Sequence, residues 1–186
     1  LFFDIETSPN VVYAWRIGYN ISLQPHDIIT ERRIISIHYS WEHEDKVHHL
    51  TWDSNQCDKA MLTEFIKVLN QSDEAIGHNS DRFDEKWIRT RCIYHRIPAM
   101  PKYKSLDTLK KAKYGFNFNS NKLDYIAKFL GVGAKVTHSG FDMWKGVLNN
   151  DKESLKEMVK YGNGDVVVLK DVYYAMQSYI KQNSHV

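Results

Sequence analysis

At 186 residues, 42% hydrophobic and 26% charged, the chain has the proportions of one globular domain with a proper core, which argues against disorder. No apolar run approaches the roughly 18 residues that a membrane-spanning helix needs. The formal net charge of +2 selects no partner class, but nine Lys or Arg residues lie between Lys86 and Lys113 against the single acid Asp107, so this span carries +8 and the remainder −6. Such asymmetry suits a polyanion held beside an acidic cluster, and equally a solvated basic face.

In chain order, Leu1-Phe2-Phe3-Asp4-Ile5-Glu6-Thr7 reads as a buried strand ending at a sheet edge and delivering two carboxylates. Side chains at i and i+2 share a strand face, so Asp4 and Glu6 stand about 6–7 Å apart along the backbone. Two acids so placed repel unless a hard cation such as Mg²⁺ or Mn²⁺ lies between them. A D-x-E triplet arises by chance about once in an ordinary chain and usually marks solvated surface; the apolar residues before and between these acids set this one apart. The chain does not begin with Met and its first strand starts at once, so a preceding segment or domain is expected. No signal-peptide pattern is visible, and Cys57 and Cys92 form neither a C-x-x-C pair nor zinc spacing with the nine histidines, which implies a reduced, cytoplasmic or otherwise intracellular protein.

Ser8-Pro9-Asn10 is turn chemistry, residues 11–17 suit a short extended piece, and 19–32 read as loop. Residues 33–41 and 46–52 are rich in β-formers around a polar hairpin connection, which with the opening strand suggests an antiparallel meander with short links. Apolar residues at Met61, Leu62, Phe65, Ile66 and Leu69 mark a helix over 55–69. A strand at 74–77 follows, then a helix over 83–95 with Trp87, Ile88 and Tyr94 as core contacts, ended by Ile97-Pro98. A strand at 103–106 precedes helices at 106–113, 123–130, 152–160 and 165–181, the last with a core stripe of Val166, Leu169, Tyr173, Met176 and Ile180. This order is α/β: a mixed central sheet, antiparallel meander plus parallel strands, flanked by helices in one domain over 1–186. Ligands of such sheets gather at the carboxyl ends of the central strands, where Asp4 and Glu6 lie.

Two further stretches carry acids. Gly77-His78-Asn79-Ser80-Asp81-Arg82-Phe83-Asp84 is a strand end, a polar turn and an acid in the first turn of a helix, a place the helix dipole favours with or without a metal. In Tyr161-Gly162-Asn163-Gly164-Asp165 the terminal pair shares a helix face, although the glycines argue for an irregular backbone, with Asp165 as a plain cap. Together, D-x-E-T, N-x-x-x-F-D and Y-x-x-x-D, in this order, resemble the three motifs of the DEDD 3′-to-5′ exonuclease superfamily, which has the RNase H-like fold. The tyrosine resembles that of the DEDDy subclass, found in the proofreading domains of DNA polymerases and in stand-alone relatives. Leu106-Asp107-Thr108-Leu109 looks like the superfamily's strand-to-helix element between the second and third motifs, and the stretch from Asn121 to Gly131 and the surroundings of Trp144 look most like relatives of the exonuclease domain of family B polymerases.

The resemblance implies that Asp4 bridges two divalent ions, Mg²⁺ or Mn²⁺, that Glu6 and Asp165 complete one site, and that Asp84 acts mostly through water on the other. It implies that Tyr161 orients the attacking water, that Asn79 and Phe83 lie beside the terminal nucleotides, and that Thr7 lies near the 3′ end. The implied reaction is hydrolysis of phosphodiester bonds from the 3′ end of single-stranded DNA or frayed ends, with a pair of ions about 3.5–4 Å apart activating water and relieving charge on the leaving oxygen. With an unperturbed pKa near 10, Tyr161 suits a positioner better than a base. An exoribonuclease, a non-catalytic nucleic-acid-binding module and a detached proofreading domain are the alternatives. The implied partners are nucleic acid and a polymerase or other replication or repair protein, with no membrane. Phe83, Phe116 and Phe118 are candidates for base stacking, the last two equally as loop aromatics tucked onto the core, and Lys102, Lys104, Lys110, Lys111 and Lys113 for phosphates.

Overall fold

In the computed structural model, which describes residues 1–98, 101–134 and 136–180, strand β1 (Phe2–Thr7) is the middle strand of a five-stranded sheet. Leu1, Phe3 and Ile5 enter one apolar cluster and Phe2 another, so both faces of the strand are covered, as its near-continuous apolar run requires. The strand is therefore central, and only its carboxyl end reaches the sheet margin.

From there the chain leaves the sheet. Strands β2 (Val11–Val12) and β3 (Ile28–Thr30) form a separate antiparallel ribbon. The extended piece expected over 11–17 shrinks to two paired residues, the expected loop contains a strand, and the link between the first two meander strands is long. Strand β4 (Ile34–Ser40) then pairs antiparallel with β1, with Asp4 opposite His38 and Glu6 opposite Ser36, and β5 (His48–Thr51) completes the meander.

Helix α1 (Lys59–Leu69) begins later than expected because Asp53 captures the preceding turn. Its carboxylate accepts the N–H groups of Asn55 and Cys57 at 2.8 and 2.9 Å, and Gln56 sits at φ 57°. Strand β6 (Glu74–Gly77) joins β1 in parallel, with Phe2 opposite Ile76. Helix α2 (Asp84–His95) ends at Arg96 in the left-handed region, φ 56°. Strand β7 (Lys104–Asp107) pairs in parallel with β6, giving the order β5-β4-β1-β6-β7.

A buried ionic brace ties these parts together. Asp58, fully buried, accepts Arg91 through Nε at 2.7 Å and a terminal guanidinium nitrogen at 2.8 Å, the Ile34 N–H at 3.0 Å, and pairs with His95 Nε2 at 2.6 Å. Burial alone would raise its pKa, but these hydrogen bonds hold it below the usual carboxylate value. The brace also corrects one expected core contact. Arg91 and Cys92 are buried, whereas Tyr94 is exposed, with the Arg91 guanidinium 4.4 Å from its ring centroid.

Helix α3 (Thr108–Gly115) is capped by Asp107, and α4 (Leu123–Leu130) stops at Gly131, φ 67°. Helix α5 (Phe141–Leu148) was not expected, and α6 (Lys152–Gln177) replaces the two separate helices. Val166, Leu169, Tyr173 and Met176 of its stripe are buried and Ile180 packs beside them, while the expected terminus at Lys181 lies outside the described residues.

The glycines of α6 serve proximity. A Cβ on Gly162 would lie 2.3 Å from His38 Nε2, and one on Gly164 2.5 Å from Val136 Cγ2. The helix therefore runs unbroken through Tyr161-Gly162-Asn163-Gly164-Asp165, contrary to the break expected there. Among the described residues no helix is long and apolar enough to cross a membrane.

Candidate active site

Phe2 packs in the cluster that contains the α6 core residues, so the even-numbered face of β1 looks toward that helix. Asp4 and Glu6 continue this face, and Asp165 projects from α6 to meet them. Ligand oxygens of Asp4, Glu6 and Asp165 all lie within 4.8 Å of one another, with Asp165 buried and the two strand acids half-buried. Three carboxylates gathered so closely repel, and an all-oxygen donor set without sulfur or imidazole matches a hard divalent cation such as Mg²⁺ or Mn²⁺.

Asp84 is not one of this trio. Strand β6 meets β1 at Phe2 and then diverges, and Asp84 approaches β1 further along, where its Oδ1 accepts the Ile5 N–H at 3.1 Å. The carboxylate thus occupies the place a strand partner would take. Burial pushes its pKa up to about 7, with Asp107 and Glu85 acting in the same direction, while its own N–H and that of Ile5 pull it back.

The loop leading to Asp84 is held from β7 and α3. Asp107 Oδ1 accepts the N–H groups of Asn79 and Leu109, both at 2.9 Å, and Asn79 adopts φ 68°. His78 reaches Thr108 Oγ1 and the Asn121 carbonyl, both at 2.9 Å. Asp107 and His78 thus hold this loop, roles that neither residue's place in the sequence announces, although Asp107 lies in the strand-to-helix stretch Leu106-Asp107-Thr108-Leu109.

A cavity of about 400 Å³ opens beside the trio, and Glu6, Thr7, Phe83, Arg32, His138 and Trp144 are among its lining residues. Thr7 and Phe83 thus line this cavity, while Asn79 does not. Trp144 Nε1 donates to the Thr7 carbonyl at 3.1 Å and fixes the end of β1. The His138 ring stands edge-on to Tyr161 and Trp144, with centroids 4.6 and 5.4 Å away. Tyr161 and Asp165, one helical turn apart, share a face of α6.

Arg32 and His138 come from irregular segments and carried no periodic signal. Phe116 and Phe118 stack on each other at 5.3 Å and pack against the second apolar cluster, the core-facing arrangement. Lys110 pairs with Asp81, and Lys102, Lys104 and Lys113 are exposed.

Comparison with known proteins adds two findings. The family model of the RNase H superfamily matches residues 1–177. The chain is also similar in fold to a family B DNA polymerase from the hyperthermophilic archaeon Pyrobaculum calidifontis, with a TM-score of 0.67 and 14% identity, over 95% of this chain and 24% of that one. It thus spans about a quarter of the polymerase's length, and at this identity the likeness speaks for the fold alone. No curated protein matches the chain.

Proposed function

The chain belongs to the RNase H superfamily, and on that premise we propose that it is a metal-dependent 3′-to-5′ exonuclease of the DEDDy type, removing nucleotides from single-stranded or frayed DNA ends. The observation that carries this reading is the convergence of Asp4, Glu6 and Asp165 within 4.8 Å, beside a cavity lined by Thr7 and Phe83.

In this reading Asp4, Glu6 and Asp165 hold divalent ions, Mg²⁺ or Mn²⁺, and Asp84 acts through water. Two such ions, when bound, supply an acidified water and charge relief at the leaving 3′ oxygen. The Tyr161 hydroxyl orients the attacking water, and the edge-on His138 ring steadies the tyrosine. Phe83 offers an apolar face to the terminal base, and the Trp144 bond to the Thr7 carbonyl keeps the 3′-end residues aligned with the acids. Residues 1–186 act as one exonuclease domain, with a polymerase or other replication or repair protein as the partner class.

The test is direct. Purified protein with Mg²⁺ or Mn²⁺ is expected to shorten 5′-labelled oligonucleotides stepwise and to release mononucleotide from 3′-labelled ones. Internal cleavage, or none with either metal, would overturn the proposal. Matched DNA and RNA strands measure the sugar preference.

A further inference from the structure

From position 11 to 21 every odd residue is apolar: Val11, Tyr13, Trp15, Ile17, Tyr19 and Ile21. This is the period of a half-buried strand, yet only Val11 and Val12 pair, in the small ribbon. Tyr13, Trp15, Ile17 and Tyr19 are 76%, 107%, 96% and 101% exposed. Contiguous apolar surface of this kind marks an interaction site.

The arm's chemistry narrows the occupant. Residues 7–26 contain no Asp or Glu, and Arg16 sits between Trp15 and Ile17. Tyr13, Ala14 and Trp15 form a cleft of about 480 Å³ with His26 and Asp27, an opening with aromatic walls. Asp27 is already engaged, accepting the Gln24 N–H at 2.7 Å and lying 3.6 Å from His26 Nε2. The root of the arm is continuous with the candidate site, since Ser8 and Pro9 line the cavity that Glu6, Thr7 and Phe83 share. From Thr7 to Tyr13 the chain reaches at most about 20 Å.

We propose that this arm is a base-stacking platform for single-stranded nucleic acid. Bases upstream of the 3′ terminus stack on Tyr13, Trp15 and Tyr19, and Arg16 meets the phosphates. Aromatic rings with an interleaved cation suit any base, because every base has a π face. The placement of the strand relative to the cavity rests on the exonuclease reading; the binding itself does not.

The experiment compares wild type with a Tyr13→Ala, Trp15→Ala, Tyr19→Ala triple variant. Anisotropy with a long 5′-labelled oligothymidine, in chelator so that no strand is cut, is expected to show at least about a five-fold loss of affinity per stack removed. With Mg²⁺, the variant is expected to cut the long strand less efficiently and a dinucleotide unchanged. Because the three rings are solvent-exposed, the melting temperature should match wild type.

Undiminished affinity in the folded variant overturns the proposal, as does failure of wild type to bind the strand. A wild-type dimer that becomes monomeric in the variant, with affinity for the strand intact, assigns the arm to self-association and also overturns it. Loss of binding in the variant while wild type cleaves nothing would keep the arm and remove the exonuclease reading. Cleavage by wild type with equal binding by the variant would do the reverse.

Discussion

The Asp84 carboxylate accepts the backbone N–H of Ile5 at 3.1 Å, past the point where β6 has parted from β1. One residue thus joins the two acids of β1 to the start of α2, and its charge and its hydrogen bond are separable. Asp84→Asn keeps a carbonyl acceptor for Ile5 and removes the charge. Its urea midpoint should stay near wild type while hydrolysis falls by roughly 10²-fold or more, the scale of losing one charge-stabilising group. Asp84→Ala orphans the N–H and should also lose about 1–3 kcal/mol of stability.

If the acidic trio holds divalent ions, as proposed, stability should depend on them. Mg²⁺ at ten times its dissociation constant should add about 1.4 kcal/mol to the unfolding free energy. Asp4→Ala and Asp165→Ala are expected to lose both this increment and hydrolysis. Tyr161→Phe should keep the increment and slow hydrolysis less than Asp4→Ala does. Thermal melts with and without metal, paired with single-turnover cleavage, check the ordering.

His38 and Gly162 supply a test of the packing between β4 and α6. In an exposed helix Gly→Ala stabilises by about 1 kcal/mol. Gly162→Ala should instead destabilise by about 1–3 kcal/mol, since the new Cβ would lie 2.3 Å from His38 Nε2. Chemical denaturation of the variant reads the sign.

His38 also gives stability a pH dependence. Burial lowers its pKa to about 4, with His49 acting the same way against the Asn163 hydrogen bond. Between the unfolded value near 6.5 and about 4, the unfolded chain takes up a proton that the folded chain refuses. This contribution is therefore complete above pH 6.5 and declines as pH falls, by at most about 1.4 kcal/mol per unit. Denaturation across this range should show the slope, and His38→Gln should reduce it.

The brace at Asp58 stands apart from the proposed chemistry. Arg91→Met leaves a buried carboxylate without its main partner and should cost about 3–5 kcal/mol. Cleavage per folded molecule, measured well below the melting temperature, should be unchanged.

How far the sequence reveals this molecule depends on whether the cause of a feature is local. The stripe of α1, the stop of α4 at Gly131 and the apolar run of β1 are local patterns, and each element stands at or near its expected place. The continuity of α6 is not local. Its glycines answer to His38 on β4 and to Val136, neither adjacent in sequence, so a propensity argument read them as a break. An inward Tyr94 is the expectation for an aromatic residue in helix α2, but Asp58 draws Arg91 inward and Tyr94 is exposed. The odd-numbered stripe after Val11 describes side chains, whereas a strand also needs a backbone partner, which the sheet does not offer beyond Val12. Of the candidate site, Asp4, Glu6 and Asp165 lie on regular elements, so their convergence could be anticipated. Arg32 and His138 enter from irregular segments and could not.

The unbroken course of α6 has one more consequence. Asp165 shares a single rod, about 39 Å long, with Val166, Leu169 and Val172, all buried against the sheet. The acid cannot shift relative to Asp4 without disturbing the packing that holds the protein folded. The spacing of the three carboxylates is thus set by the hydrophobic layer beneath them, a fixed anvil at the carboxyl end of β1.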